Sequence, residues 1–137
     1  MTPDEARPDP HTRPRMDEVD RLGENYRGTL LEMDSVELAR GDSANEWNRL
    51  VNRLQALQLE LRQTLEGRRA ITALVADGNV TVRGWSAAHA LLWDPGPALA
   101  ALQEMAASDG RGRLDAEMTI KEYRAGRLKH DWTPTTT

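Results

Sequence analysis

Apolar residues recur at intervals of three or four positions through the first half of the chain, the spacing that places side chains on one face of an α-helix. The first such stripe contains Val19, Leu22, Tyr26, Leu30 and Met33. It predicts an amphipathic helix over residues 16–40. The second contains Trp47, Leu50, Leu54, Leu57, Leu61 and Leu65. It predicts a helix over residues 44–65 that Asp42 or Ser43 caps, so the two helices should form an antiparallel hairpin.

Shorter periodic segments follow, separated by turns rich in Asp, Gly and Pro. They predict further helices over residues 68–76, 81–92, 98–107 and 114–125. No stretch alternates apolar and polar positions with the period of two that marks a strand. The sequence therefore predicts an all-α fold of about six helices.

Both ends of the chain differ from the middle in composition. Residues 1–15 hold four of the seven prolines, and such a segment buries too little apolar surface to offset the entropy of ordering. We therefore expect a disordered leader over residues 1–15, one domain over residues 16–129 and a flexible tail over residues 130–137. Trp132 in that tail either packs back onto the domain or stays exposed for a partner.

The apolar stripes also predict which side chains form the core. The expected core consists of Val19, Leu22, Tyr26, Leu30, Leu50, Leu54, Leu57, Leu61, Ile71, Leu74, Val82, Ala88, Leu91, Leu99, Leu102, Ile120 and Tyr123. The leucine stripe of the second helix could equally serve a homodimer, so the oligomeric state stays open.

Charge and composition exclude several function classes. A formal charge of −4 with a pI near 5.4 disfavours nucleic-acid binding, which needs a basic surface. The absence of cysteine removes disulfides and thiolate metal sites. Neither a signal peptide nor a membrane span is readable, so we expect a cytoplasmic protein that does not bind membranes.

Groups able to carry catalysis are scarce. His89 is the one histidine in a predicted packed segment. It could act as a base or ligand, but no catalytic or metal-binding motif of the sequence includes it, so a core role fits it better. No metal-binding or nucleophile motif occurs. Trp85, Trp93 and Asp94 could imitate the cleft of a helical-repeat DNA glycosylase, although a core Trp and a helix-capping Asp are the simpler interpretation. We therefore expect no enzyme, metal or cofactor.

The acidic residues are concentrated on the first hairpin. Residues 16–66 carry eleven acids against six arginines. Asp34, Glu37, Asp42 and Glu46 crowd the connecting turn beside Trp47. This cluster could meet a basic partner, with Trp47 as an aromatic anchor. A solvated helix face, with Trp47 in the core, is the alternative.

The stretch from Ala73 to Trp93, ALVADGNVTVRGWSAAHALLW, resembles a HEAT-type helical repeat. In such repeats an Asp in the turn typically meets an Arg at the start of the second helix, here Asp77 and Arg83, while alanines let the helices approach closely. Residues 97–107 and 114–125 form a partial second unit without a clear Val-Arg pair.

Residues 16–128 as a whole are similar to a family of small bacterial HEAT-like domains linked to the immunity side of polymorphic toxin systems. The resemblance implies a protein that binds and neutralises one cognate toxin, encoded by a neighbouring gene. The expected contact residues are Asp34, Glu37, Asp42, Glu46 and Trp47, with a second face around Trp85, His89 and Lys121. A HEAT-like scaffold or regulatory adaptor without a toxin partner is the alternative.

Overall fold

The computed structural model describes residues 12–39 and 44–128. These residues form six α-helices and no strand, so the all-α prediction is confirmed. The helices are α1 (Thr12–Ala39), α2 (Ala44–Leu61), α3 (Leu65–Ala73), α4 (Val80–Ala90), α5 (Pro95–Ala107) and α6 (Arg113–Arg124), with a 3-10 turn at Leu74–Ala76 between α3 and α4.

The first two helices form the predicted antiparallel hairpin. Near the connection, Glu37 of α1 and Trp47 of α2 line the same cavity. Further along, the guanidinium of Arg53 on α2 donates to the carboxylate of Glu32 on α1. Because the paired positions diverge along the sequence, the helices must run in opposite directions.

The boundaries of both helices differ from the prediction. α1 begins at Thr12 rather than at residue 16, so residues 12–15 belong to the helix and not to the expected leader. α2 ends at Leu61 rather than at residue 65. Thr64 caps α3, because its hydroxyl accepts a hydrogen bond from the amide of Gly67 at 3.0 Å. Leu65, predicted as the last residue on the apolar stripe of the second helix, is consequently 55% exposed.

Gly67 allows this tight junction between α2 and α3. A Cβ at position 67 would lie 1.8 Å from the carbonyl oxygen of Leu61. Any side chain there would therefore push α3 away from the end of α2.

The turn before α4 is held by two polar side chains. Asn79 caps α4, since its side-chain oxygen accepts from the amides of Thr81 and Val82. The Asp77 carboxylate accepts from Arg27 on α1 at 2.8 Å. The predicted contact between Arg83 and Asp77 is present, but Arg83 donates to the backbone carbonyl of Asp77 at 3.0 Å and not to its carboxylate. The carboxylate is already occupied by Arg27.

The core divides into two clusters. One joins α1, α2, α3 and the start of α4; the other joins the end of α4 to α5 and α6. Trp93 packs against both clusters, and its indole nitrogen donates to the Thr72 hydroxyl at 2.9 Å. Small residues let α4, α5 and α6 approach closely; they are Ala87, Ala90, Ala98 and Ala116, all buried.

Most of the predicted core is buried, with informative exceptions. The predicted core residues that are only partly buried are Leu22, Leu57, Leu74, Ala88, Leu99 and Tyr123. On α2 the buried stripe runs through Leu50, Leu54, Gln58 and Leu61. Gln58 therefore occupies the fully buried position expected for Leu57, which is partly buried and packs against the same cluster.

Some predictions fall outside the described residues. These concern residues 1–11 of the expected leader, the tail with Trp132, and Asp42 and Ser43 of the α1–α2 connection. Within the described ranges, no helix combines the length and apolar character needed to cross a membrane.

Candidate functional site

A groove of about 400 Å³ opens between α4 and α6, beside the end of α1 and the start of α2. Its apolar lining comes mainly from α4, α5 and α6. The lining residues include Trp47, Val80, Gly84, Trp85, Ala88, Leu102, Met105, Ala116 and Met118. Pockets of this size that combine an apolar lining with a few polar groups are typical binding sites.

Three side chains make this groove suited to an apolar partner. Trp47 and Trp85 are each half-buried, so part of each indole remains accessible. Met118, which also lines the groove, is 64% exposed. Large exposed apolar side chains beside a cavity are typical of interaction surfaces, and Trp is enriched among residues that dominate binding energy.

The rim of the groove is charged. Glu37, Arg111 and Asp115 line it, together with the hydroxyl-bearing residues Thr81 and Thr119. Arg111 lies between two acids, because its Nη1 is 2.7 Å from Asp34 Oδ1 and 3.9 Å from Glu37 Oε2. Since Asp34 already neutralises Arg111, Glu37 and Asp115 leave the rim with an excess of negative charge.

The sequence led us to expect Asp34 on the surface, but the structure buries most of its side chain. Its side chain is 13% exposed and accepts hydrogen bonds from Thr81 Oγ1 at 2.7 Å, Asn79 Nδ2 at 3.3 Å and Arg111 Nη1 at 2.7 Å. Burial alone would raise the pKa of Asp34, but these hydrogen bonds and the charge of Arg111 outweigh it and lower the pKa. Asp34 therefore positions Arg111 at the rim instead of meeting a partner.

The other predicted acidic residues divide in the same way. Glu37 reaches the groove. Glu46 is exposed and does not line the groove. Its Oε1 lies 3.8 Å from Nη2 of Arg49 on the same helix. Asp42 lies outside the described residues. Of the acids predicted to meet a partner, Glu37 is the one that the structure brings to the same groove as the two tryptophans.

His89 is a core residue behind the groove. It is 1% exposed, and its Nδ1 is 2.6 Å from the Tyr26 hydroxyl. Burial holds the pKa of Tyr26 well above its usual value, so the hydroxyl keeps its proton and is hydrogen-bonded to the imidazole. The Trp85 ring is tilted against the imidazole, with 6.1 Å between the two ring centroids. His89 thus supports Trp85 from inside and is not accessible to a partner.

Trp85 and Trp93 do not combine into one cleft. Trp85 lines the groove from the middle of α4, whereas Trp93 lines shallow cavities beyond the end of that helix. Asp94 occupies the N-cap position of α5, followed by Pro95, but its side chain makes no capping hydrogen bond. The resemblance to a glycosylase cleft therefore has no geometric basis, and the capping role predicted for Asp94 is positional only.

Several groove residues were missed at the level of sequence. Arg111 lies in a glycine-rich turn, and Asp115, Met118 and Thr119 lie on α6. Of these residues, Met118 alone was recognisable from the local sequence, because it is an apolar residue outside the buried stripe of α6. The pairing of Arg111 with Asp34 joins positions 77 residues apart, and no local pattern encodes such a contact.

The described residues include no group of three or more His, Asp or Glu side chains that could hold a metal ion. No protein-family model, curated protein or solved structure matches this chain. The relation to HEAT-like immunity proteins therefore stays a prediction from the sequence.

Proposed function

We propose that this chain is a non-enzymatic immunity protein that binds a bacterial toxin domain and neutralises it by direct contact through the groove. The observation that supports the proposal is the meeting of Trp47, Trp85 and the exposed Met118 with two carboxylates, Glu37 and Asp115, in one groove. The toxin itself is suggested by the sequence resemblance.

The lining of the groove defines the kind of segment that would bind. Apolar side chains of the partner would pack against the two indoles and Met118, where removal of apolar surface from water provides most of the binding free energy. A lysine or arginine of the partner would reach Glu37 and Asp115. Such a cation near the rim would mainly speed association and select against acidic partners.

The proposal is tested by expressing this chain together with the product of the adjacent gene, with host growth and co-purification as readouts. We expect the neighbouring product to inhibit growth when expressed alone, and this chain to restore growth and form a stable complex. A harmless neighbour that forms no complex would overturn the proposal. A complex with a harmless neighbour would support the adaptor function instead.

Two variants then locate the interface. Glu37→Lys combined with Met118→Glu should weaken the complex, because it reverses a rim charge and places a carboxylate against apolar surface of the partner. Glu46→Lys is the matched control, since this exposed acid is on the same hairpin but outside the groove. Equal affinity for the double variant and the wild type would show that the partner binds elsewhere.

A further inference from the structure

A second surface lies at the end of α2 away from the groove, on α3 and the residues that follow α4. Two shallow cavities of about 420 and 390 Å³ adjoin there and share Arg68 and Trp93. Leu65 lines one cavity and Leu92 the other. These leucines are 55% and 52% exposed. Two large, exposed apolar side chains therefore line the cavities that share Arg68.

This surface is basic. Arg62, Arg68 and Arg69 line the two cavities, with Asp94 as the acid among the lining residues. Arg68 is held in place because its Nε donates to the backbone carbonyl of Arg62 at 2.7 Å. We call Arg62, Leu65, Arg68, Arg69, Leu92 and Trp93 the Arg-Leu surface.

The Arg-Leu surface and the groove are complementary in charge, and each exposes apolar side chains. The groove is apolar inside and acidic at its rim, whereas the Arg-Leu surface combines two exposed leucines with three arginines. A leucine side chain fits easily within a groove of about 400 Å³. The neighbouring arginines would then lie close to Glu37 and Asp115, where opposite charges attract.

The two surfaces cannot meet within one molecule. Trp47 of the groove lies near the start of α2, and Arg62 directly follows its end. The 18 residues of α2 span about 27 Å, given a rise of about 1.5 Å per residue. Contact between the surfaces therefore requires a second copy of the chain.

We infer that the Arg-Leu surface of one copy docks into the groove of another, which gives a head-to-tail assembly. Such a heterologous contact, between two different surfaces of identical chains, closes into a ring or extends as a filament. The assembly uses the groove of the proposed function but does not require that the partner be a toxin. Because both occupants need the same groove, a bound partner would dissociate the assembly.

The chain by itself provides the test, with sedimentation velocity as the measurement. For the wild type at low salt, we expect the average mass to rise about twofold or more over about a hundredfold range of concentration. Higher salt should reduce the association, because screening shortens the reach of the charges from about 10 Å at 0.1 M to about 3 Å at 1 M.

Two variants distinguish head-to-tail docking from symmetric pairing. Leu65→Ser with Arg69→Glu disrupts the apolar and basic contacts of the Arg-Leu surface. Glu37→Lys with Met118→Ser disrupts the acidic and apolar contacts of the groove. Each variant alone should remain monomeric. An equimolar mixture should form a one-to-one dimer and nothing larger, because the mixture retains one intact groove and one intact Arg-Leu surface. Leu114→Ser is the control, since this leucine is 63% exposed but lines neither surface.

Each outcome decides the inference. A wild type that stays monomeric overturns it and leaves the proposed function untouched. Self-association of either double variant overturns it as well, because the interface would then be symmetric. Circular dichroism and thermal melting should show that both variants retain the wild-type helix content, so that loss of association is not loss of folding.

Discussion

At the scale of single residues, Asp34 connects parts of the chain that are distant in sequence. Its carboxylate accepts hydrogen bonds from Asn79 and Thr81 at the start of α4 and from Arg111 before α6. A nearly buried carboxylate is stable only when its oxygens are hydrogen-bonded or paired with a cation. Asp34 has both kinds of partner, so it links α1 to α4 and holds Arg111 at the groove.

The lowered pKa of Asp34 predicts a specific acid sensitivity. A carboxyl group whose pKa is lower in the folded than in the unfolded state contributes stability above its unfolded pKa of about 3.9 and loses it as the pH falls through the folded value. Asp34→Asn should destabilise the fold by about 1–3 kcal/mol at neutral pH. It should also reduce the loss of stability between about pH 5 and about pH 2.

Urea unfolding at a series of pH values would measure both effects. Asp77, whose pKa is lowered by its hydrogen bond with Arg27, would retain its own contribution in the Asp34 variant. Glu46→Asn removes an exposed acid and is the matched control. An Asp34→Asn variant with the full acid sensitivity of the wild type would contradict this account.

Gln58 has the opposite relation to its surroundings. It is fully buried, and within the described part of the chain neither its side-chain oxygen nor its nitrogen has a hydrogen-bond partner. Burial of an amide without a partner costs about 1–3 kcal/mol. Methionine has a similar length and flexibility without that cost.

We therefore expect Gln58→Met to stabilise the domain by about 1–2 kcal/mol. The increase would appear as a higher midpoint of chemical unfolding. Gln103→Met, at an exposed position of α5, should leave the midpoint nearly unchanged. An unchanged or lower midpoint for Gln58→Met would contradict a cost of burying this amide.

At the scale of elements, the face that α2 buries decides which of its leucines contribute most to the stability of the fold. Leu50, Leu54 and Leu61 face the core, whereas Leu57 is partly buried. The sequence places Leu54 and Leu57 on one stripe with equal standing. Because α2 packs against both α1 and α3, its fully buried face includes Gln58 rather than Leu57.

The two leucines should consequently respond differently to truncation. Leu54→Ala should cost about 2–5 kcal/mol, because it removes a fully buried side chain and leaves a cavity. Leu57→Ala should cost clearly less, since solvent can fill the space left at a partly buried site. Thermal or chemical unfolding of the two variants compares them directly, and equal losses would contradict the difference in burial between the two leucines.

At the scale of the whole molecule, an acidic and a basic surface lie at opposite ends of α2, and each includes exposed apolar side chains. The acidic groove lies at one end of α2 and the Arg-Leu surface beyond the other. Met118 borders the groove, while Leu65 and Leu92 mark the Arg-Leu surface. Paired clusters of this kind favour association in which opposite ends meet, and they give the rim charges an effect on the rate of encounter.

The groove charges should therefore act mainly on association with a protein partner. Glu37→Gln combined with Asp115→Asn should slow association and weaken its dependence on salt, while the dissociation rate changes little. Stopped-flow or surface-based kinetics at two ionic strengths would measure this. Glu60→Gln, an exposed acid of α2 outside the groove, is the control. An association rate equal to that of the wild type would place the partner on another face.

The sequence by itself determined the all-α class and the helical hairpin, together with most of the buried apolar positions. These depend on periodicity within a few residues, because neighbouring turns of one helix decide which side chains share a face. It also identified Trp47, Trp85 and Glu37 as candidate contact residues, but not that they line one groove.

Tertiary structure decided the rest. It placed Gln58 in the core, buried Asp34 and brought Arg111 to it across 77 residues; it also joined Tyr26 to His89 across 63. The groove exists only because α6 packs on α5 beside α4 and the end of α1. Such contacts depend on how several helices pack together at once, and no segment of the chain contains that information locally.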